Sequence, residues 1–147
     1  MHSIASIIAI VFLVQTAPPA PLSVADGEGA WSIRVLTSGG LTGRGAGNAT
    51  LTSTGSLNGN PLTKEKIEPL MQLVAAFDTS KWPKSAAPQG PVPTPSFCMD
   101  CIKTQVTLVR REGGSLKVFS HSWDDITKSN APPDVVRLAE MVLTGKW

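Results

Sequence analysis

The chain has 147 residues, 41% hydrophobic and 16% charged, which fits one globular domain and leaves no room for a large multi-step enzyme. The 13 Lys and Arg against 11 Asp and Glu give a net charge of only +2. Without basic runs this excludes a dedicated nucleic-acid binder, because affinity for phosphates needs clustered positive charge. Two His, two Cys and no Tyr leave few side chains for catalysis or metal binding.

No Lys, Arg, Asp or Glu occurs before Asp26. Ile4 to Val14 is an apolar run broken only by Ser6, and Ala17-Pro18-Pro19-Ala20-Pro21 stops any helix there. The run is too short for a membrane span, which takes about 20 residues, but it suits a secretory core. Ser23-Val24-Ala25 has the small-x-small form of a cleavage site. These features predict a signal peptide over residues 1–25, a secreted or periplasmic protein with no stable membrane span, and a single domain over 26–147. In that domain the one histidine is His121.

Trp31, Ile33 and Val35 alternate with Ser32, Arg34 and Leu36, which predicts a strand whose first set faces a core. A glycine-dense stretch follows, with Gly39, Gly40, Gly43, Gly45 and Gly47. Ala49, Leu51 and Ser53 then alternate with Thr50, Thr52 and Thr54, a second strand with threonines outward. Gly55 to Asn60 reads as a turn. Ile67, Leu70, Leu73, Val74 and Phe77 recur at helical spacing. That helix is expected to begin at Asn60-Pro61 or Glu68-Pro69, or to kink at Pro69, and to end near Asp78 to Lys81. A Pro-rich surface connection occupies residues 83–95. Ile102, Thr104, Val106 and Leu108 alternate as a third strand, Gly113-Gly114 marks a two-residue turn, and Leu116 to Trp123 returns. Asp124-Asp125 and Ser129-Asn130 mark loops. Pro132-Pro133-Asp134 opens a last helix with Val135, Leu138, Ala139, Val142 and Leu143 on its apolar face and Gly145 as its cap. The expected fold is α+β: an antiparallel four-stranded sheet from two hairpins, with two helices packed on one face, in the order ββαββα.

Cys98-Met99-Asp100-Cys101 has the spacing of a redox dithiol, but it follows a Pro-rich loop and leads into a β-branched strand. No helix N-terminus stands there to lower a thiol pKa. A structural Cys98–Cys101 disulfide is the primary expectation; free thiols binding metal adventitiously, or a redox centre, are the alternatives. Zinc needs about four ligands and His121 is the only other soft candidate, so no metal site is expected. His121 lies near Asp124 and Asp125, yet no Gly-x-Ser-x-Gly or His-Glu-x-x-His motif accompanies it, and the reading is non-enzymatic. In the Gly-rich stretch, Ala46 stands where a phosphate loop needs lysine, and a strand rather than a helix follows, so no nucleotide cofactor is expected. Two readings are left for the stretch, a plain hairpin tip and a recognition loop whose bare backbone approaches a partner closely.

Trp31-Ser-Ile-Arg-Val-Leu-Thr followed by Ser38-Gly39-Gly40-Leu41-Thr42-Gly43-Arg44, then Leu51 to Leu57, the first helix, the Asp100 to Leu108 strand, Val118 to Asp125 and the Pro-Pro-started last helix resemble the emfourin family over most of residues 31–143. The resemblance implies an α+β inhibitor of thermolysin-like metallopeptidases with no cofactor. The exported N-terminus, the Pro-rich loop and the cysteine pair depart from the family's pattern. Residues Ser38, Gly39, Gly40, Leu41, Thr42, Gly43 and Arg44 are the expected binding loop, with Leu41 as apolar anchor and Arg44 facing an acidic rim. The expected state is a monomer meeting a protein partner. An envelope adaptor domain without inhibitory activity, or a small thiol-disulfide redox protein, are the competing functions.

Overall fold

The structure, a computed structural model, describes residues 22–39, 46–82 and 101–146. Residues 1–21, Gly40 to Gly45, the Pro-rich 83–95 segment and Cys98 lie outside the described residues. The described elements are β1 (Trp31–Gly39), β2 (Gly47–Thr52), β3 (Ser56–Leu57), β4 (Asn60–Pro61), α1 (Lys64–Ala75), β5 (Ile102–Glu112), β6 (Ser115–Asp124) and α2 (Pro133–Thr144). The protein is α+β, with one antiparallel sheet in the order β4-β3-β2-β1-β5-β6.

The sheet has six strands, not the four expected. The segment read as a simple turn folds back on itself: Asn58 and Gly59 both take left-handed backbone (φ 52° and 80°), and Ser56–Leu57 pairs with Asn60–Pro61. Two successive left-handed residues make the tight turn that matches strand twist, and Asn-Gly is the pair best able to adopt it. Pro61 is tolerated because β4 is the edge of the sheet. This also corrects the start of α1. Asn60-Pro61 is used by the sheet, so α1 begins at Lys64 behind Thr63, and Pro69 sits inside it. An interior proline costs about 3 kcal/mol. Burial of Leu70 and Val74, at about 1.5–3 kcal/mol each, offsets that.

The alternation in β1 works as expected. Ile33 and Val35 are fully buried, and their register partners Leu51 and Ala49 on β2 and Leu108 and Val106 on β5 are buried on the same face. Leu138, Val135 and Ala139 of α2 join this core, as do Leu70 and Val74 of α1. The turn between β5 and β6 is Gly113-Gly114, both left-handed, and Gly145 caps α2 in left-handed conformation by donating its N–H to the Met141 carbonyl. A clasp not foreseen from sequence holds the start of the domain. The Glu28 carboxylate accepts the Gly113 N–H at 2.8 Å, and Gly29 N–H and Ala30 C=O pair with Arg111.

On the opposite face, Ser32 is 0% exposed and its hydroxyl lacks a hydrogen-bond partner. It sits across from Thr52 and Val109. A buried hydroxyl left unpaired costs about 1–3 kcal/mol. Ser32→Ala is therefore expected to stabilise the domain by about 1 kcal/mol in chemical denaturation; a loss of stability would show that the hydroxyl finds a partner.

Candidate functional site

The expected binding loop connects β1 to β2, and its flanks define where it leaves the sheet. The last β1–β2 pair is Thr37 with Gly47, but β1 continues beside β5 as Ser38 opposite Lys103 and Gly39 opposite Ile102. β1 therefore stays paired with β5 for two residues beyond its last pair with β2. Ser38 and Gly39 are exposed; Gly40, Leu41, Thr42, Gly43 and Arg44 lie outside the described residues. Gly39 is the pivot. Its φ of 114° is one that side chains rarely adopt, and a Cβ there would collide with the Cys101 carbonyl oxygen. Only glycine lets the two backbones approach so closely.

Cys101 is buried directly ahead of β5 and is not a free thiol. Its neighbour Ile102 donates its N–H to Asp125 Oδ2 at 3.0 Å, which joins the start of β5 to the loop after β6. In that loop the Asp124 Oδ1 accepts the N–H of Ile126 (3.0 Å), the N–H of Thr127 (2.8 Å) and the Thr127 hydroxyl (2.9 Å). The Asp124 N–H donates in turn to Thr127 Oγ1 at 3.0 Å. These bonds, that from the Thr127 backbone foremost, hold the Asp124 carboxyl below its usual pKa. Cys101, Gly39 and the Asp124–Thr127 loop thus share one end of the sheet. The C-terminal turn of α2 reaches the same end, where Leu143 packs near Gly47.

His121 is not part of this end. It faces the core from β6 opposite Val106, flanked by Trp82 at 6.2 Å and Trp123 at 6.1 Å between ring centroids, and its buried Nδ1 lacks a hydrogen-bond partner. Asp124 and Asp125, its neighbours in sequence, are engaged by Thr127 and Ile102 instead. Alternation along β6 puts Asp124 on the other face from His121. The residues that a hydrolytic reading would combine are thus not brought together. Among the described residues no three His, Cys, Asp or Glu side chains converge as a metal site would require, and no helix is long and apolar enough to cross a membrane. Two features escaped the sequence reading: the exposed Ile126 and the cluster of tilted Trp82, His121 and Trp123 rings. The Asp-x-x-Thr spacing of the first is a recognisable local hydrogen-bonding pattern; in the ring cluster His121 and Trp123 are neighbours on one face of β6, and Trp82 joins them from a distant segment with no local signal.

No protein-family model, characterised protein or solved structure matches the chain.

Two outcomes follow from this geometry. Gly39→Ala is expected to destabilise the domain by about 1–3 kcal/mol through backbone strain, measured by denaturation, and to broaden the amide signals of Cys101 and Ile102. Burial lowers the His121 pKa below its ordinary value of 6.5, so the fold favours the neutral ring. Stability from this source is complete above the unfolded value and declines as pH falls below about 6.5 toward the folded pKa. His121→Phe is expected to flatten that slope in pH-dependent melting curves.

Proposed function

We propose that the chain is an exported, non-enzymatic binding protein of emfourin-like type that inhibits a thermolysin-like metallopeptidase through the Ser38–Arg44 connection. The observation that carries this reading is the anchoring of that connection. Its first glycine is locked against the Cys101 carbonyl, and its far end re-enters the sheet at Gly47, opposite Thr37. A glycine-rich loop loses conformational entropy when it binds, and fixing both ends on paired strands lowers that cost. Leu41 then serves as the apolar anchor and Arg44 pairs with an acidic rim, while bare backbone hydrogen-bonds along the cleft.

The same anchoring supports a structural role for the cysteines. A Cys98–Cys101 disulfide would stiffen the lead-in to β5 on which Gly39 rests. Cys101 precedes a strand, so the helix N-terminus that activates redox thiols is not present at its position.

The experiment is a titration of a thermolysin-like peptidase with the purified protein, following peptide cleavage. Stoichiometric loss of activity that added zinc does not restore is the expected result. Leu41→Ala combined with Arg44→Ala is expected to weaken inhibition at least about tenfold with an unchanged melting temperature. No inhibition by the folded wild-type protein overturns the reading and shifts the function to an envelope adaptor. Full inhibition by the double variant removes the connection from the mechanism.

A further inference from the structure

We infer that the outer edge of β6 is the interface of a two-fold dimer of this chain, in which the β6 strands of two copies pair antiparallel with Ser120 of each copy at the axis. The two sheets then become one. This assembly departs from the monomer expected from sequence, and it requires nothing of the inhibitor reading.

The two edges of the sheet are built differently. β4 closes one side with two residues, the second of them Pro61, which has no N–H to donate. β6 closes the other side with ten residues, Ser115–Asp124, which include no proline or glycine and pair with β5 in continuous register, without a bulge. Folded proteins blunt long edges with proline, bulges or charge, because unpaired N–H and C=O groups recruit another strand. The direction of those groups follows from the hairpin. Gly113 and Gly114 are both left-handed, and their two-residue turn makes Glu112 and Ser115 a hydrogen-bonded pair. Alternation then aims the backbone groups of Lys117, Phe119, His121 and Trp123 at β5, and those of Leu116, Val118, Ser120 and Ser122 away from the sheet. The far side of β5 agrees, since Arg111 bonds Gly29 and Ala30 there with both its backbone groups. Among the described residues no strand or backbone group pairs with the outer edge of β6.

The edge complements itself. Directly opposed residues of antiparallel strands lie on the same face, so two copies keep a common helix-bearing face when pairing runs about Ser120. That register opposes Val118 to the partner's Ser122 and Leu116 to the partner's Asp124, so every outward residue meets another. The Asp124 N–H is already held by Thr127, which leaves Val118, Ser120 and Ser122 to form the ladder. On the helix-bearing face, half-buried Phe119 meets the partner's His121. Lys117 and Asp124 are the strand's one cation and one anion and stand near opposite ends. Antiparallel pairing brings each toward the opposite charge of the other copy and keeps the two lysines about 20 Å apart. The exposed large hydrophobics among the described residues, Leu116 and Ile126, also lie at opposite ends of β6. The same symmetry carries Leu116 of each copy to the loop that bears the partner's Ile126.

Sedimentation equilibrium of the full chain, from about 1 to about 100 μM, tests this. Wild type is expected to reach twice the chain mass within that range. Ser122→Pro removes an outward N–H that β5 does not use, and is expected to raise the dimer dissociation constant at least about tenfold. Ser120→Lys and Ser120→Asp each set like charges face to face at the axis and are expected to be monomers, while an equimolar mixture of the two restores the dimer. Recovery in the mixture separates lost pairing from lost folding. Wild type that stays monomeric to about 100 μM overturns the inference, as does a dimer whose dissociation constant is unchanged in all three variants. A mixture of the charged variants that stays monomeric overturns pairing about Ser120.

Discussion

The pairing of β1 with β5 is the constraint on which the rest of the structure depends. It joins residues 31–39 to residues 102–110, far apart in the chain, and places β1 in the middle of the sheet with partners on both sides. Side chains alternate along a strand, so a slip of one residue would turn Ile33 and Val35 outward and Ser32 and Arg34 into the core. The register that avoids this also brings Gly39 level with Ile102. Core and candidate binding end are two consequences of one alignment. Loop closure over such a distance is slow relative to local structure, so β1–β5 pairing is expected to form late in folding and to complete the core when it does.

The two long hairpins, the last helix and its glycine cap are legible in the sequence because each has a local cause. Alternation in Trp31 to Leu36 and in Ile102 to Leu108, the Gly113-Gly114 pair, and Pro132-Pro133 ahead of an apolar stripe all act within a few residues. The start of α1 and the β3–β4 pair are misread for the opposite reason. Asn60-Pro61 satisfies two local rules, helix initiation and edge strand, and the choice is made by Asn58-Gly59 folding Ser56–Leu57 back against it. Pro69 likewise looks like a boundary until the burial of Leu70 and Val74 is counted.

The candidate site divides in the same way. Glycine density marks Ser38 to Gly47 in the sequence, yet the reason Gly39 must be glycine is the Cys101 carbonyl, which arrives from another strand. Ile126 reads as one more apolar residue in a loop, since exposure is a tertiary property. His121 shows the reverse case: its two acidic neighbours in sequence invite chemistry that no accompanying motif supports, and strand alternation turns Asp124 to the other face while Asp125 lies past the strand end on the Ile102 N–H. Proximity along a strand is not proximity in space.

The Glu28 clasp has a practical side. It seats residues 28–30 at the Gly113-Gly114 turn, while α2 brings Leu143 to Gly47, at the other pole of the sheet. A nine-residue strand such as β1 separates these poles by about 30 Å. The two ends of the sheet are therefore separate places on the molecule. A dye placed at Glu28 stands clear of Gly39, whereas one placed at the C-terminal turn of α2 sits beside Gly47.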